Sequence, residues 1–153
     1  MFYFLREDLD RLDGQIEELT DKLREAGQEM GASCEQGAET YHDNAPYEEA
    51  VRAFGLHLAR LKELSAIRKQ ARLILSPTST AFVAVGTQVT VLDLDTSETK
   101  SFKVGSFLTF TEDTISYHSP FARILIGAEK GEIREGEISG KKKRFRILSI
   151  EKP

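Results

Sequence analysis

LREDLDRLDGQIEELTDKLREAGQEM, residues 5–30, decides the first half of the chain. Its apolar residues Leu5, Leu9, Leu12, Ile16, Leu19, Leu23, Ala26 and Met30 recur at alternating steps of four and three. That spacing is the seam of a coiled coil, narrower than the apolar stripe of a globular helix. Further on, Tyr47, Val51, Phe54, Leu58 and Leu61 repeat the rhythm, which then drifts through Leu64, Ile67, Ala71 and Ile74 until Ser76-Pro77 stops the helix. Glycines at 27, 31 and 37 loosen the end of the first helix, and the short connection favours an antiparallel hairpin over residues 1–76.

Charge supports that pairing. Residues 1–50 carry fourteen Asp and Glu against four Lys and Arg, whereas residues 51–75 carry one against six. An antiparallel hairpin sets Asp8, Asp10, Asp13, Glu17 and Glu18 beside Arg60, Lys62, Arg68, Lys69 and Arg72. Exposed pairs contribute only about 0 to 1 kcal/mol each, so they select the partner more than they stabilise the fold. The competing use of the basic stripe is contact with RNA or another protein.

After Pro77 the period changes to two. FVAVGTQVTVLDLD alternates Val and Leu with polar residues, TSETKSFKVG reads as a turn and a second strand, and ISYH is a short third. SPFARILIGA reads as a short helix with Ser119 as cap, Pro120 at its first position and Gly127 as its stop. Two further strands flank the turn Ser139-Gly140-Lys141. Residues 77–153 therefore form a small α+β domain. The cluster Lys141 to Arg144 reads as a solubilising turn, with a nucleic-acid site as the alternative.

The remaining features exclude several functions. No apolar run approaches the roughly 20 residues of a membrane span, and no basic segment leads an apolar signal region, so the cytoplasm is the default location. One cysteine, Cys34, supplies no disulfide framework, and His42, His57 and His118 show no zinc spacing. A net charge of −4 argues against non-specific coating of nucleic acid.

A hairpin of about 30 residues per side spans roughly 45 Å, too long to be buried by the small domain. It is expected to stand in solvent or enter a cavity in a partner. AETYHDNAPYEEA, residues 38–50, falls at its far end. Asn44 suits an N-cap, Pro46 suits the first helical turn, and Glu48 and Glu49 are favoured there by the helix dipole. Glu39 and Asp43 precede the helix and have no such explanation.

Three segments carry a resemblance. ISYHSPFARILIGAEKGEI looks like the C-terminal signature of the Gre family of bacterial transcript-cleavage factors, GTQVTVLDLDTSETKSFKVG is similar to its opening strand pair, and DNAPYEEA resembles its tip motif. The resemblance implies an N-terminal antiparallel coiled coil, a C-terminal FKBP-like domain docked on RNA polymerase at the rim of its secondary channel, and a place among DNA-binding transcription proteins. In that family the coiled coil enters the channel. Acidic tip residues help hold a second Mg2+ at the polymerase active site, so that the 3′ end of backtracked RNA is cut by two-metal hydrolysis. The factor is then not an enzyme alone, acts as a monomer, and binds no Mg2+ tightly when free.

Position by position, the resemblance makes Asp43 the first choice for Mg2+ coordination, with Asn44, Ala45 and Tyr47 completing the tip. The family's other acid corresponds to Thr40, a neutral hydroxyl, and its acid after Asn-Ala is replaced by Pro46. Glu39, one position away, is the candidate to compensate. Ser119, Pro120, Phe121 and Arg123 match the polymerase-docking segment, and Arg52 and Arg60 match basic residues facing RNA or channel walls. Three readings follow: a cleavage-stimulating factor, a channel-entering modulator or inhibitor without efficient cleavage, and a binding module for another coiled coil.

Overall fold

The computed structural model describes residues 1–36 and 45–153, the side chains of 32–36 excepted. Two compact units emerge: Asp10–Gln70, and Met1–Leu9 together with Ala71–Pro153.

The first unit is built on two long helices, α1 (Arg6–Gln36) and α2 (Ala45–Lys69). They run antiparallel. Arg68 of α2 pairs with Asp13 of α1 at 2.6 Å, while Glu29 of α1 shares a groove with Pro46, Glu49 and Ala50 of α2. Seam residues Leu12 and Leu64 are fully buried and Ala26 nearly so, but near the start of α2 Ala50 turns inward in place of the expected Val51, which is 40% exposed. Gly27 and Gly31 do not end α1, which continues to Gln36. The expected charge zipper is realised differently. Asp13 and Arg68 cross between the helices, but Arg60 pairs with Glu63 at 2.8 Å and Glu18 with Lys22 at 3.2 Å, each on its own helix. Partners one turn away on the same helix are reached without spanning the seam.

The hairpin is shorter than the heptad spacing predicts at both outer ends. Leu5 and Ile74 fit the seam, yet Phe2–Leu5 and Ala71–Ile74 form strands β1 and β2, paired in parallel with Phe2 opposite Ala71 and Leu5 opposite Ile74. The cause lies on the other edge of β1. Phe107 N–H donates to the Tyr3 carbonyl (3.0 Å), Leu5 N–H to Ser106 Oγ (2.9 Å) and Tyr3 N–H to Tyr117 Oη (3.1 Å). The Phe2 ring stacks on Phe107 at 4.0 Å between centroids. An extended Phe-Tyr-Phe segment satisfies both edges and buries Phe4, which a first helical turn here could not do. The boundary expected at residues 76/77 thus moves: residues 1–9 and 71–76 belong with the sheet unit. Parallel neighbours require a crossover, and here the helical hairpin supplies it.

The larger sheet contains β3 (Gln88–Asp93), β4 (Thr99–Gly105), β5 (Thr114–Ser116), β6 (Ile133–Ile138) and β7 (Lys141–Glu151), in the order β5-β4-β3-β7-β6. All neighbours are antiparallel except β4 and β5. Between Thr90 and Val91 the β3–β7 register shifts by a bulge. Val89, Val91, Phe102, Val104, Phe145, Ile147 and Ile150 fill one face, covered in part by Leu125 of α3 (Pro120–Leu125). Helix α3 approaches β6 so closely that a Cβ on Gly136 would lie 2.6 Å from Ile124. Ser139 and Gly140 both adopt positive φ (51° and 77°), as a two-residue hairpin turn of the primed type requires. The chain is α+β, as the change of period at Pro77 indicates.

Candidate functional site

Two regions carry the residues singled out in the sequence. The first lies where α1 ends and α2 begins. Glu39, Thr40, Asp43 and Asn44, and with them the candidate Mg2+ ligands and the cap, lie outside the described residues. Ala45 opens α2 and is exposed, Pro46 follows in the first turn, Tyr47 is half-buried, and Glu48 sits in the first turn where backbone N–H groups favour an anion. Ala50 turns inward and is 3% exposed.

Beside these residues a groove of about 530 Å³ is lined by Glu29, Pro46, Glu49, Ala50, Arg52, Ala53 and Leu56. It exists because alanines occupy this end of the seam where the other end has Leu12 and Leu64. Arg52 is exposed on its wall and has no ion pair among the described residues. Arg60, about 12 Å further along α2, is engaged by Glu63. Of the two basic residues named from sequence, Arg60 has an ion-pair partner among the described residues and Arg52 has none there. Among the described residues, no group of three or more His, Cys, Asp or Glu side chains is arranged to hold a metal.

The second region is the start of α3. Ser119 Oγ accepts the Ala122 N–H at 3.2 Å, so this hydroxyl caps the helix. Pro120 and Arg123 are exposed and Phe121 is not: its ring packs 5.0 Å from Phe102 and 4.9 Å from Phe145, with Lys100 Nζ 5.9 Å above it. The segment therefore divides, with Pro120 and Arg123 facing outward and Ser119 and Phe121 holding the helix in place. His118 is exposed, its ring 5.4 Å from Phe107.

Sequence reasoning missed one polar constellation. Asp8, in the first turn of α1, is 3% exposed, and its Oδ2 accepts the Ser106 hydroxyl at 2.6 Å. Lys103 Nζ pairs with Glu7 one residue earlier. The available signal was an acid three residues past an apolar strand, which is easily read as part of the acidic helix face. Two carboxylates elsewhere are held below their ordinary range. Asp93 accepts backbone N–H bonds from Asp95 and Thr96, and Glu132 accepts one from Glu129. Both fix turns.

Residues 78–152, which include the whole five-stranded sheet, match the family described as "Transcription elongation factor, GreA/GreB, C-term", which defines the class of the sheet unit. Similarity extends through both units in a transcription elongation factor GreA of Lachnoclostridium phytofermentans, 30% identical over 150 residues, covering 95% of this chain and 92% of that protein. A GreA of Thermosipho africanus is 27% identical over 97% of this chain and 95% of its own length. Among solved structures, one titled as the transcription factor Gfh1 aligns over 97% of this chain and 96% of its own, at 23% identity and a TM-score of 0.47. The chain belongs to the GreA/GreB family of transcription elongation factors.

Proposed function

We propose that this protein stimulates RNA polymerase to cleave backtracked transcripts, its helical hairpin entering the polymerase secondary channel and bringing Asp43 to the catalytic centre. The observation that carries this reading is the antiparallel pair α1 and α2, whose far ends are joined by the segment containing Asp43-Asn44. From Asp13 to Gln36 the helix rises about 35 Å, a length that suits a hairpin built to reach. The full-length likeness to GreA proteins supports assigning both units to one task.

Each group then has a defined role. The Asp43 carboxylate offers hard oxygen donors of the type Mg2+ prefers, and Glu39 is the neighbouring carboxylate able to assist in place of Thr40. A second Mg2+, when bound at the polymerase centre, supplies charge stabilisation for phosphodiester hydrolysis. One or two carboxylates leave most of an octahedral shell to the polymerase, so the free protein neither holds the ion tightly nor cuts RNA by itself. Arg52 meets the RNA or the channel wall, and exposed Pro120 and Arg123 meet the polymerase rim. The protein works as a cytoplasmic monomer.

The deciding experiment follows release of the 3′ RNA fragment from a stalled, backtracked complex in Mg2+. Wild-type protein is expected to raise the rate above that of polymerase alone. Asp43→Ala should lower the stimulated rate on the order of 100-fold, and Thr40→Asp, which restores the family spacing, should raise it. Polymerase binding without any release above background would overturn cleavage stimulation and leave a channel-binding modulator.

A further inference from the structure

Alternation along the strands gives the larger sheet a second face, opposite the core and α3. On it the register aligns Leu92 of β3, Arg146 of β7 and Ile133 of β6 in one row. Leu148, two residues along β7 at the bulge, adjoins Arg146. Ile133 is 48% exposed and Leu148 36%, Arg146 is exposed and Leu92 half-buried. Three aliphatic side chains thus border one guanidinium.

The surrounding cations are engaged. Arg144 lies 3.8 Å from Asp95, Lys142 3.3 Å from Glu135, and Lys143 3.9 Å from Asp93. Arg146 has no ion pair or side-chain hydrogen bond among the described residues, because its cross-strand neighbours are Leu92 and Ile133. Arginine is enriched at the centres of protein–protein interfaces, where apolar neighbours of whatever kind exclude water from its charged hydrogen bond.

From this arrangement we infer that the row Leu92, Arg146, Ile133 with Leu148 is a protein-docking surface for a segment of RNA polymerase that presents a carboxylate between aliphatic side chains. The inference rests on the polymerase-binding part of the reading above and adds a surface separate from Pro120 and Arg123, which belong to the helix on the core side. Charge selects this occupant. Nucleic acid is disfavoured because the aliphatic groups of the row offer phosphates nothing, and Lys142 and Arg144 beside it are already paired with Glu135 and Asp95. A second copy is disfavoured because a twofold contact sets the same patch against itself, and the row holds no carboxylate for Arg146.

The test measures equilibrium binding of the full-length protein to RNA polymerase for wild type, Arg146→Glu, Arg146→Lys and Leu148→Asp, with thermal melts of each. The two charge-altering changes, Arg146→Glu and Leu148→Asp, should each weaken binding about tenfold or more, and Arg146→Lys less, since an ammonium lacks the bidentate fork. All positions are exposed, so melting temperatures should hold. Wild-type binding that survives both within about twofold overturns the inference alone, leaving the proposed function standing. Wild type that fails to bind polymerase overturns both. Loss by Arg146→Glu of affinity for single-stranded RNA, with polymerase affinity intact, assigns the face to nucleic acid and overturns the inference. Self-association in sedimentation that Arg146→Glu abolishes, with polymerase affinity intact, assigns it to a second copy and also overturns it.

Discussion

The two units are stabilised in different ways. The sheet unit buries large side chains from strands, a helix and a loop: Phe145, Leu125, Ile147, Val83, Val89, Val91 and Val104 are each no more than 2% exposed. The helical unit concentrates its large buried groups at one end, in Leu12 and Leu64, and at the other relies on Ala26 and Ala50 beside an open groove. Among the described residues, large fully buried side chains thus give way to small ones along the hairpin in the direction of the segment that carries Asp43. If the hairpin enters the polymerase channel as proposed, small seam residues would keep it slender there at the expense of intrinsic stability.

The sharpest way to break this contrast is to remove one large buried group from each unit. Phe145→Ala should cost about 3–5 kcal/mol and lower the protection of amides throughout the sheet in hydrogen exchange. Leu64→Ala should cost about 2–5 kcal/mol, with lost protection confined to α1 and α2. Equal loss of sheet protection in both variants would mean that the units unfold as one. A smaller effect of opposite sign should sharpen the comparison: Gly31→Ala. An added Cβ meets nothing within 4 Å, so this exposed helical position should gain roughly 0.5–1 kcal/mol and raise helix protection around it. If cleavage stimulation falls as stability rises, looseness of this end is part of the function.

The smallest effect concerns pH and belongs to the sheet unit. Backbone N–H groups of Asp95 and Thr96 hold Asp93 below its ordinary value of 3.8. Its contribution is therefore fully present above that value and is lost as pH falls through the lowered folded-state value. Asp93→Asn keeps an acceptor for the turn but removes the titration, so the acid side of the stability profile should become shallower while neutral stability changes little. Denaturant unfolding from pH 7 down to 2 measures this.

Much of the architecture was legible because one local rule dominated each segment. The step of four and three fixed the helices, and the alternation after Pro77 located the strands. Ser119-Pro120 fixed a cap, and Ser139-Gly140 fixed a turn. What misled was a segment obeying two rules at once. Leu5 and Ile74 fit the helical seam, yet the backbone around them is claimed by partners about a hundred residues away, Ser106 and Phe107 for β1, which no local pattern announces. The candidate site divides similarly. Asp43 and Thr40 gain meaning only through family resemblance, whereas the half-buried state of Phe121 and the lack of an ion pair at Arg146 among the described residues depend on strand register.

The pairing of β1 with β2 has a consequence for how such a protein changes over time. Both ends of the helical hairpin are clamped in adjacent strands about 4.8 Å apart, whatever lies between them. Everything from Asp10 to Gln70 is in effect an insert between fixed terminals. It can be lengthened, shortened or given a new loop without disturbing the sheet, provided the two helices gain or lose residues together in whole heptads that keep the seam in phase. Reach and chemistry at the far end are thus separable by exchange of one continuous piece of sequence, and an insert transplanted between two relatives should carry its own activity with it.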